Sequence, residues 1–493
     1  MITLAVSVTL LILGYLVYGR VAERFFGTDP ERITPAFTKN DDVDFVPMKG
    51  WRVFMIQFLN IAGLGPIFGA ILGAMYGPVV YIWIVLGCIF MGATHDFFGG
   101  MLSLRHDGAS LPELVGTYLG KPMRMFLRVF TLFLLIFVGV AFVSGPAKLL
   151  YTMSGFSLPF WMGLIFFYYI LATLLPIDKI IGMLYPFFGA ALIFMAVGVF
   201  TGMIINWAGG NLTLMELTTA NLRNFQSDAA SNTIFPFMFI VVSCGAISGF
   251  HATQSPLMAR CLRSEKQGRQ IFYGAMVAEG IVAMIWATAA MNYMGDVHGL
   301  NYAFTHTLAD NPAIKPDPPS MVNEICRSWL GKTGAVIAVI GVVACPVTSG
   351  DTAFRSARLT IADMLSIPQK KISSRLLIVI PVFAVAFVLT FVMKDEFARI
   401  WKFVGISNQS LAAITCWTIA MYLGIRGKGH IMMSLPALFI TAVCTSYLLA
   451  APHSGGGLGL PMKVSVIAGV AFALAVFILF IKVLGKKRRE QSQ

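Results

Sequence analysis

Inside stretches otherwise built from Leu, Ile, Val, Phe and Ala, this chain carries side chains that can titrate, hold a cation or bind a small polar solute. His95-Asp96, His251, Glu279 and Asp351 can each take up and release a proton, and the hydroxyls of Thr348 and Ser349 suit a hard cation. Gln57 and Asn60 stand just before Gly63-Leu64-Gly65-Pro66. Ser248, Gly249, His251 and Gln254 belong to a second interruption, Ser248 to Pro256. An ionisable group within a membrane span is costly and is a functional candidate by default. The chemistry these types support is solute binding coupled to proton or cation movement.

Other chemistries lack their residues. The seven cysteines form no CxxC pair and no His–Cys zinc spacing, so no metal centre is expected, and those inside apolar runs read as small packing residues. HExxH and the phosphate-binding P-loop are absent, so no ATP-driven step, organic cofactor or enzymatic activity is expected. Gly405-Ile406-Ser407 superficially resembles an intramembrane serine protease, without a His–Ser dyad context. No repeated filter sequence or acidic ring speaks for a channel. Blander roles compete at several positions. His95-Asp96 reads equally as an interfacial pair anchoring a helix end, and Asp351 as a structural partner of Arg355 one turn later.

The elements that position these residues are membrane helices. The 493 residues are 57% apolar and only 12% charged, with a mean hydropathy of +0.78, against about 25% charge in soluble domains. The apolar runs predict an all-α integral membrane protein with about 13 transmembrane helices: 2–19, 53–73, 78–101, 124–150, 157–175, 180–207, 234–258, 270–294, 333–354, 375–393, 397–425, 431–450 and 463–484. Basic residues precede the first run nowhere and follow it at Arg20 and Arg24, so it reads as a retained span rather than a cleaved leader. The net charge of +13 sits in short connections. It therefore signals topology and contact with anionic lipid, not nucleic acid. With the N-terminus outside, about three quarters of the 36 Lys and Arg fall on the cytoplasmic side, together with the Lys486-Lys487-Arg488-Arg489 tail. The sequence carries no signal for an oligomeric state.

Two of these spans are interrupted near mid-membrane. Pro66 removes a backbone donor and disfavours helix at Gly65, and freed backbone groups are tolerated in a bilayer only where they line a cavity or bind something. Gly65, Gly69, Gly73 and Gly77 also fit the every-fourth-residue pattern of close helix packing. The interrupted spans are the second and the seventh, and they enter from opposite sides. That arrangement predicts a LeuT-like five-plus-five inverted repeat, repeat one 53–207 and repeat two 234–425. Residues 1–52 then form an extra helix and cytoplasmic loop, and 426–493 two extra helices with a basic tail. The long, Pro-rich stretch 295–332 is expected to be an external lid. Paired broken helices mark the binding site of a secondary transporter.

At these residues the chain resembles the carbon-starvation protein A (CstA) family of bacterial inner-membrane transporters. The matching stretches are Ile61–Ile67, Ala93–Phe97, Cys244–Ala252, Tyr273–Met276 with Glu279, and Val404–Gln409. The resemblance implies uptake of a small nutrient during carbon limitation: short peptides, or pyruvate by proton symport. Where relatives carry a Leu-Thr-x-x-Asp-x-Gly-Thr-Arg run, this chain has Val347-Thr348-Ser349-Gly350-Asp351-Thr352-Ala353-Phe354-Arg355. A proton is the expected coupling ion, with sodium as the alternative.

Overall fold

The computed structural model describes residues 1–174, 181–306, 317–393 and 397–492. Helices are the regular structure here, with no strand among the described residues. In hydrocarbon, a helix satisfies its backbone internally. Among the described residues nine helices are long and apolar enough to cross a bilayer, or ten when the bent pair Gly50–Ile61 and Gly65–Ala74 counts as one span. Of the other expected spans, Leu158–Leu174 and Phe397–Ile425 are single helices, while 234–258 is two short ones.

Burial ranks the helices. In Glu265–Tyr293, 83% of the apolar window is buried, against 28% in Ile2–Phe26 and 22% in Met462–Gln491. The first is a central post; the terminal helices present most of their apolar surface outward. The post runs beside both halves of the bent span.

The first interruption falls where the sequence predicts it; the second falls at 242–248, ahead of the expected Ser248 to Pro256 stretch, which is helical from Gly249 and carries His251, Gln254 and Pro256 inside the helix Gly249–Ala259. Gly50–Ile61 and Gly65–Ala74 meet at 51°, with Ala62 off the helical conformation and a widened π-helical turn, Gly65–Gly69, restarting the chain. The second break separates Phe239–Val241 from Gly249–Ala259, and Val242 and Ser248 leave helical geometry on either side of it. The breaks lie against each other. A Cβ at Gly65 would sit 2.1 Å from Cys244 Cβ, one at Gly69 3.0 Å from the Val241 carbonyl, and one at Gly73 2.2 Å from Val242. Spacing by fours therefore serves packing and the break together, because the bare stripe admits the second interruption. Gly77 departs from the stripe: it turns the chain at φ +83° beneath Phe225.

One span ends elsewhere than expected. The helix begun at Pro318 continues through Thr348, Ser349 and Asp351 to Leu365, eleven residues past the expected end at 354. Its extension buries two arginines, because the connection 27–49 brings Asp44 beneath them. Asp44 accepts from Arg355 at 3.2 Å and from Arg358 at 3.1 Å, and both guanidiniums are at most 1% exposed. Burial alone pushes the Asp44 carboxyl up, but Arg358, Arg355 and Arg260 outweigh it and hold it down at about 2. The expected lid, 295–332, is described in part, as the helix Val297–Thr305 and the start of the Pro318 helix; 307–316 lie outside the described residues.

Removing one partner of a buried ion pair costs about 3–5 kcal/mol. Asp44→Asn should therefore lower the melting temperature in detergent strongly. The parent carboxyl titrates at about 2 against an ordinary 3.8. Its contribution is thus complete above the ordinary value and lost as pH falls toward 2. Melting curves across that window should show this acid loss in the parent and not in Asp44→Asn.

Candidate functional site

Where the broken spans meet the central post, four ionisable residues from three helices join in one buried chain. Asp96 lies on the helix Ala93–Arg105. Its Oδ1 is 2.8 Å from Nδ1 of the adjacent His95 and its Oδ2 is 2.8 Å from Nδ1 of His251, 155 residues away. The opposite ring nitrogen of His251, Nε2, faces Glu279 Oε2 at 3.4 Å. All four side chains have zero exposure. His95-Asp96 is thus not an interfacial pair capping a helix end, as one reading of the sequence had it. Burial of the carboxylate has recruited a partner from the second broken span.

The contacts limit where protons can sit. Ionised Asp96 accepts from both histidines, which puts a proton on each Nδ1. His251 Nε2 then stands near Glu279 either as a neutral imidazole beside a protonated carboxyl or as an imidazolium beside a carboxylate. His251 Nε2 and both Glu279 oxygens lack a hydrogen-bond partner among the described residues, so the 3.4 Å approach is a charge contact rather than a formed hydrogen bond; with one proton on either group the chain would carry a net charge of −1. A second proton would make it neutral.

Beside it, the helix bearing Thr348 and Ser349 repairs the first break. Ser349 Oγ donates to the Leu59 carbonyl at 2.9 Å and lies equally close to the Cys345 carbonyl. The Cys345 thiol donates to the Ala62 carbonyl. Thr348 Oγ1 donates to the Cys345 carbonyl at 2.7 Å. Gly63 belongs here, since a Cβ on it would lie 3.1 Å from Ser349 Oγ. Tyr185 donates both to the Thr348 carbonyl at 2.9 Å and to Asp351 Oδ2 at 3.0 Å. Gln57 and Asn60, on the inner half of the bent span, are fully buried, yet neither amide has a hydrogen-bond partner among the described residues. Two orphaned amides are expensive unless something else satisfies them.

The predicted residues therefore divide. His95, Asp96, His251 and Glu279 form one chain. Gly63, Thr348, Ser349 and Asp351 gather at the first break. Gly65 and Ser248 meet through Cys244, whose thiol lies 3.7 Å from Ser248 Oγ. Gly249 is a packing residue, where a Cβ would lie 2.3 Å from the Asn408 carbonyl. Gln254 turns toward Thr253 and Ser356. Sequence reasoning passed over Cys244, Cys345, Tyr185 and Trp83, whose indole donates to the Val242 carbonyl at the second break. The available signal was that each is hydrogen-bond capable inside an apolar run. No cluster among the described residues has the makings of a metal centre.

The family model for "Carbon starvation protein CstA" matches residues 1–154 and 146–311. The chain belongs to the CstA family. A membrane protein of Haemophilus influenzae is 44% identical over 348 residues, 60% of this chain and 92% of that one. The peptide transporter CstA of Helicobacter pylori is 26% identical, covering 87% of this chain and 79% of its own length. The pyruvate/proton symporter BtsT of Escherichia coli is 27% identical over 58% of this chain and 48% of its own. Among solved structures, a Na⁺-coupled sialic acid symporter superposes with a TM-score of 0.55 at 14% identity, covering 97% of this chain and 98% of that one. The Eremococcus coleocola manganese transporter gives 0.52 at 12% identity, covering 92% and 99%. At such identities the likeness is one of fold. This CstA-family chain is a multi-pass membrane protein of the transport class.

Apposition of the breaks has a direct test. Overpacking a tight contact costs about 1–3 kcal/mol, so Gly65→Ala should lower thermal stability in detergent. Gly99→Ala, in a helix with nothing within 4 Å of its Cβ, should be neutral or slightly stabilising. Adding Cys244→Gly to Gly65→Ala should restore most of the loss; simple additivity of the two changes would show that these breaks do not touch.

Proposed function

We propose that this protein is a secondary active carrier importing a small carboxylate-bearing nutrient, pyruvate or a short peptide, together with protons. The observation that carries the reading is the buried His95–Asp96–His251–Glu279 chain at the level of both breaks. In its resting state that chain is negative and repels an incoming carboxylate. One further proton neutralises it and, as His251 becomes imidazolium beside protonated Glu279, offers a positive partner. Proton and anion thus favour each other's binding, which is the linkage symport requires. The orphaned amides of Gln57 and Asn60 supply donors for the carboxylate oxygens.

Alternating access would then turn on the breaks. The near-full-length fold likeness to two secondary transporters supports a five-plus-five inverted repeat, 53–207 and 234–425, within thirteen spans. The helix Val297–Thr305 and its neighbours in 295–332 would form the outer lid. Loop charge supports an external N-terminus and a cytoplasmic tail in a bacterial inner membrane.

A second reading, sodium coupling, is favoured by one observation. The hydroxyls of Thr348 and Ser349 gather with the carbonyls of Leu59 and Cys345 at the first break, a set of hard oxygen donors. Uptake of labelled pyruvate or dialanine into proteoliposomes separates the two. Proton coupling predicts uptake driven by an inward proton gradient, abolished by protonophore and indifferent to replacing sodium with potassium. Glu279→Gln or His251→Ala should lower that uptake by about 100-fold, while Thr348→Val leaves it within a small factor. Uptake that needs sodium and ignores the pH gradient would overturn the proton reading.

A further inference from the structure

A polar cavity of about 650 Å³ lies at the other end of the membrane helices from the Asp44 clamp, away from the buried chain. Three segments meet there: the connection 209–233, the short helix Val297–Thr305 and the end of the bent span. Asn301 joins them. Its amide nitrogen, with two hydrogens to donate, lies within hydrogen-bond reach of the carbonyls of Met75 at 2.9 Å, Phe225 at 3.0 Å and Val297 at 3.0 Å. Three carbonyls around one terminal atom fix that atom as nitrogen. The buried Oδ1 has no partner among the described residues.

Above this floor stands Phe225, seated over Gly77. The Arg223 guanidinium lies over its ring at 4.7 Å, and the His298 ring meets it edge-on at 5.4 Å. Arg223 makes no hydrogen bond or ion pair among the described residues. A guanidinium placed over an aromatic ring leaves its N–H edge free, and that planar fork matches a carboxylate with two parallel N–H···O bonds. Most surface arginines are unpaired and solvated. This one borders a cavity of ligand size, shares its aromatic base with a histidine, and is linked through Asn301 to the end of the broken span.

We propose that this cavity is an outer binding site for the carboxylate end of the nutrient, with Arg223 as its anchor and His298 beside it. The inference rests on the reading of the protein as a carrier of carboxylate-bearing solutes, and it adds a station on the path. A solute here touches Val297–Thr305 on one side and, through Asn301, the Met75 end of the bent span on the other, so its arrival loads the elements that would move.

Ser227 lines the cavity and is exposed, so Ser227→Cys gives a reporter that needs no transport. In proteoliposomes, its modification by an anionic methanethiosulfonate should run severalfold faster than by a cationic one. Pyruvate and dialanine should slow it, while acetamide should not. Arg223→Gln should abolish both the charge preference and the protection, and Arg223→Lys should keep part of each. In uptake assays Arg223→Gln should raise KM severalfold with kcat unchanged. Glu279→Gln separates the two ideas: it should lose proton-driven uptake yet keep the protection at Ser227→Cys. Absence of protection by either solute, or protection that survives Arg223→Gln, would overturn the outer site whatever uptake shows.

Discussion

Burying a carboxylate in the middle of a membrane protein costs several kcal/mol unless hydrogen bonds and opposite charge compensate it. Asp96 meets that demand with two imidazoles, one from its chain neighbour and one from the second broken span. The rest of the centre follows. Once His251 is held by its Nδ1, its Nε2 must face something, and what it faces is Glu279 on the most buried of the membrane-length helices among the described residues. Two carboxylates separated by one histidine cannot both be ionised comfortably without a proton on that histidine.

The breaks depend on each other in the same way. Opening a helix at Ala62 frees carbonyls that hydrocarbon cannot satisfy; Cys345 and Ser349 take them up from a neighbouring helix. At Val242 the indole of Trp83 does the same. Side chains can swap such bonds at small cost, whereas an intact helix cannot release its own. The broken spans are thus patched by a thiol, a hydroxyl and an indole from neighbouring helices. At the far end of the Pro318 helix, the Asp44–Arg355–Arg358 cluster fixes the same element through charge.

Much of this was legible in the sequence, for definite reasons. Pro66 between glycines announces a break because it removes a donor, and His251 and Glu279 stand out because ionisable groups are costly in apolar runs. Which of them would meet was not legible. Asp96 and His251 are 155 residues apart, and no local spacing links the two helices. Cys345 was unreadable for a different reason, since a buried cysteine looks like a small hydrophobe until an orphaned carbonyl is known to face it. The end of the Pro318 helix was misplaced because Arg355 and Arg358 look like an interface; only the tertiary partner Asp44 lets both be buried. Gly65, Gly69 and Gly73 carried two meanings at once, and both hold.

In the proposed function, the proton that moves with the nutrient is the one taken up at His251 and Glu279. This coupling is tested most directly by recording pH outside lightly buffered proteoliposomes as pyruvate or dialanine is added, beside exchange of labelled solute at equilibrium. The parent should alkalinise the medium as solute enters, and protonophore should collapse the signal. Glu279→Gln should still exchange solute across the membrane while moving no protons with it. Undiminished, solute-driven alkalinisation by Glu279→Gln would contradict the account.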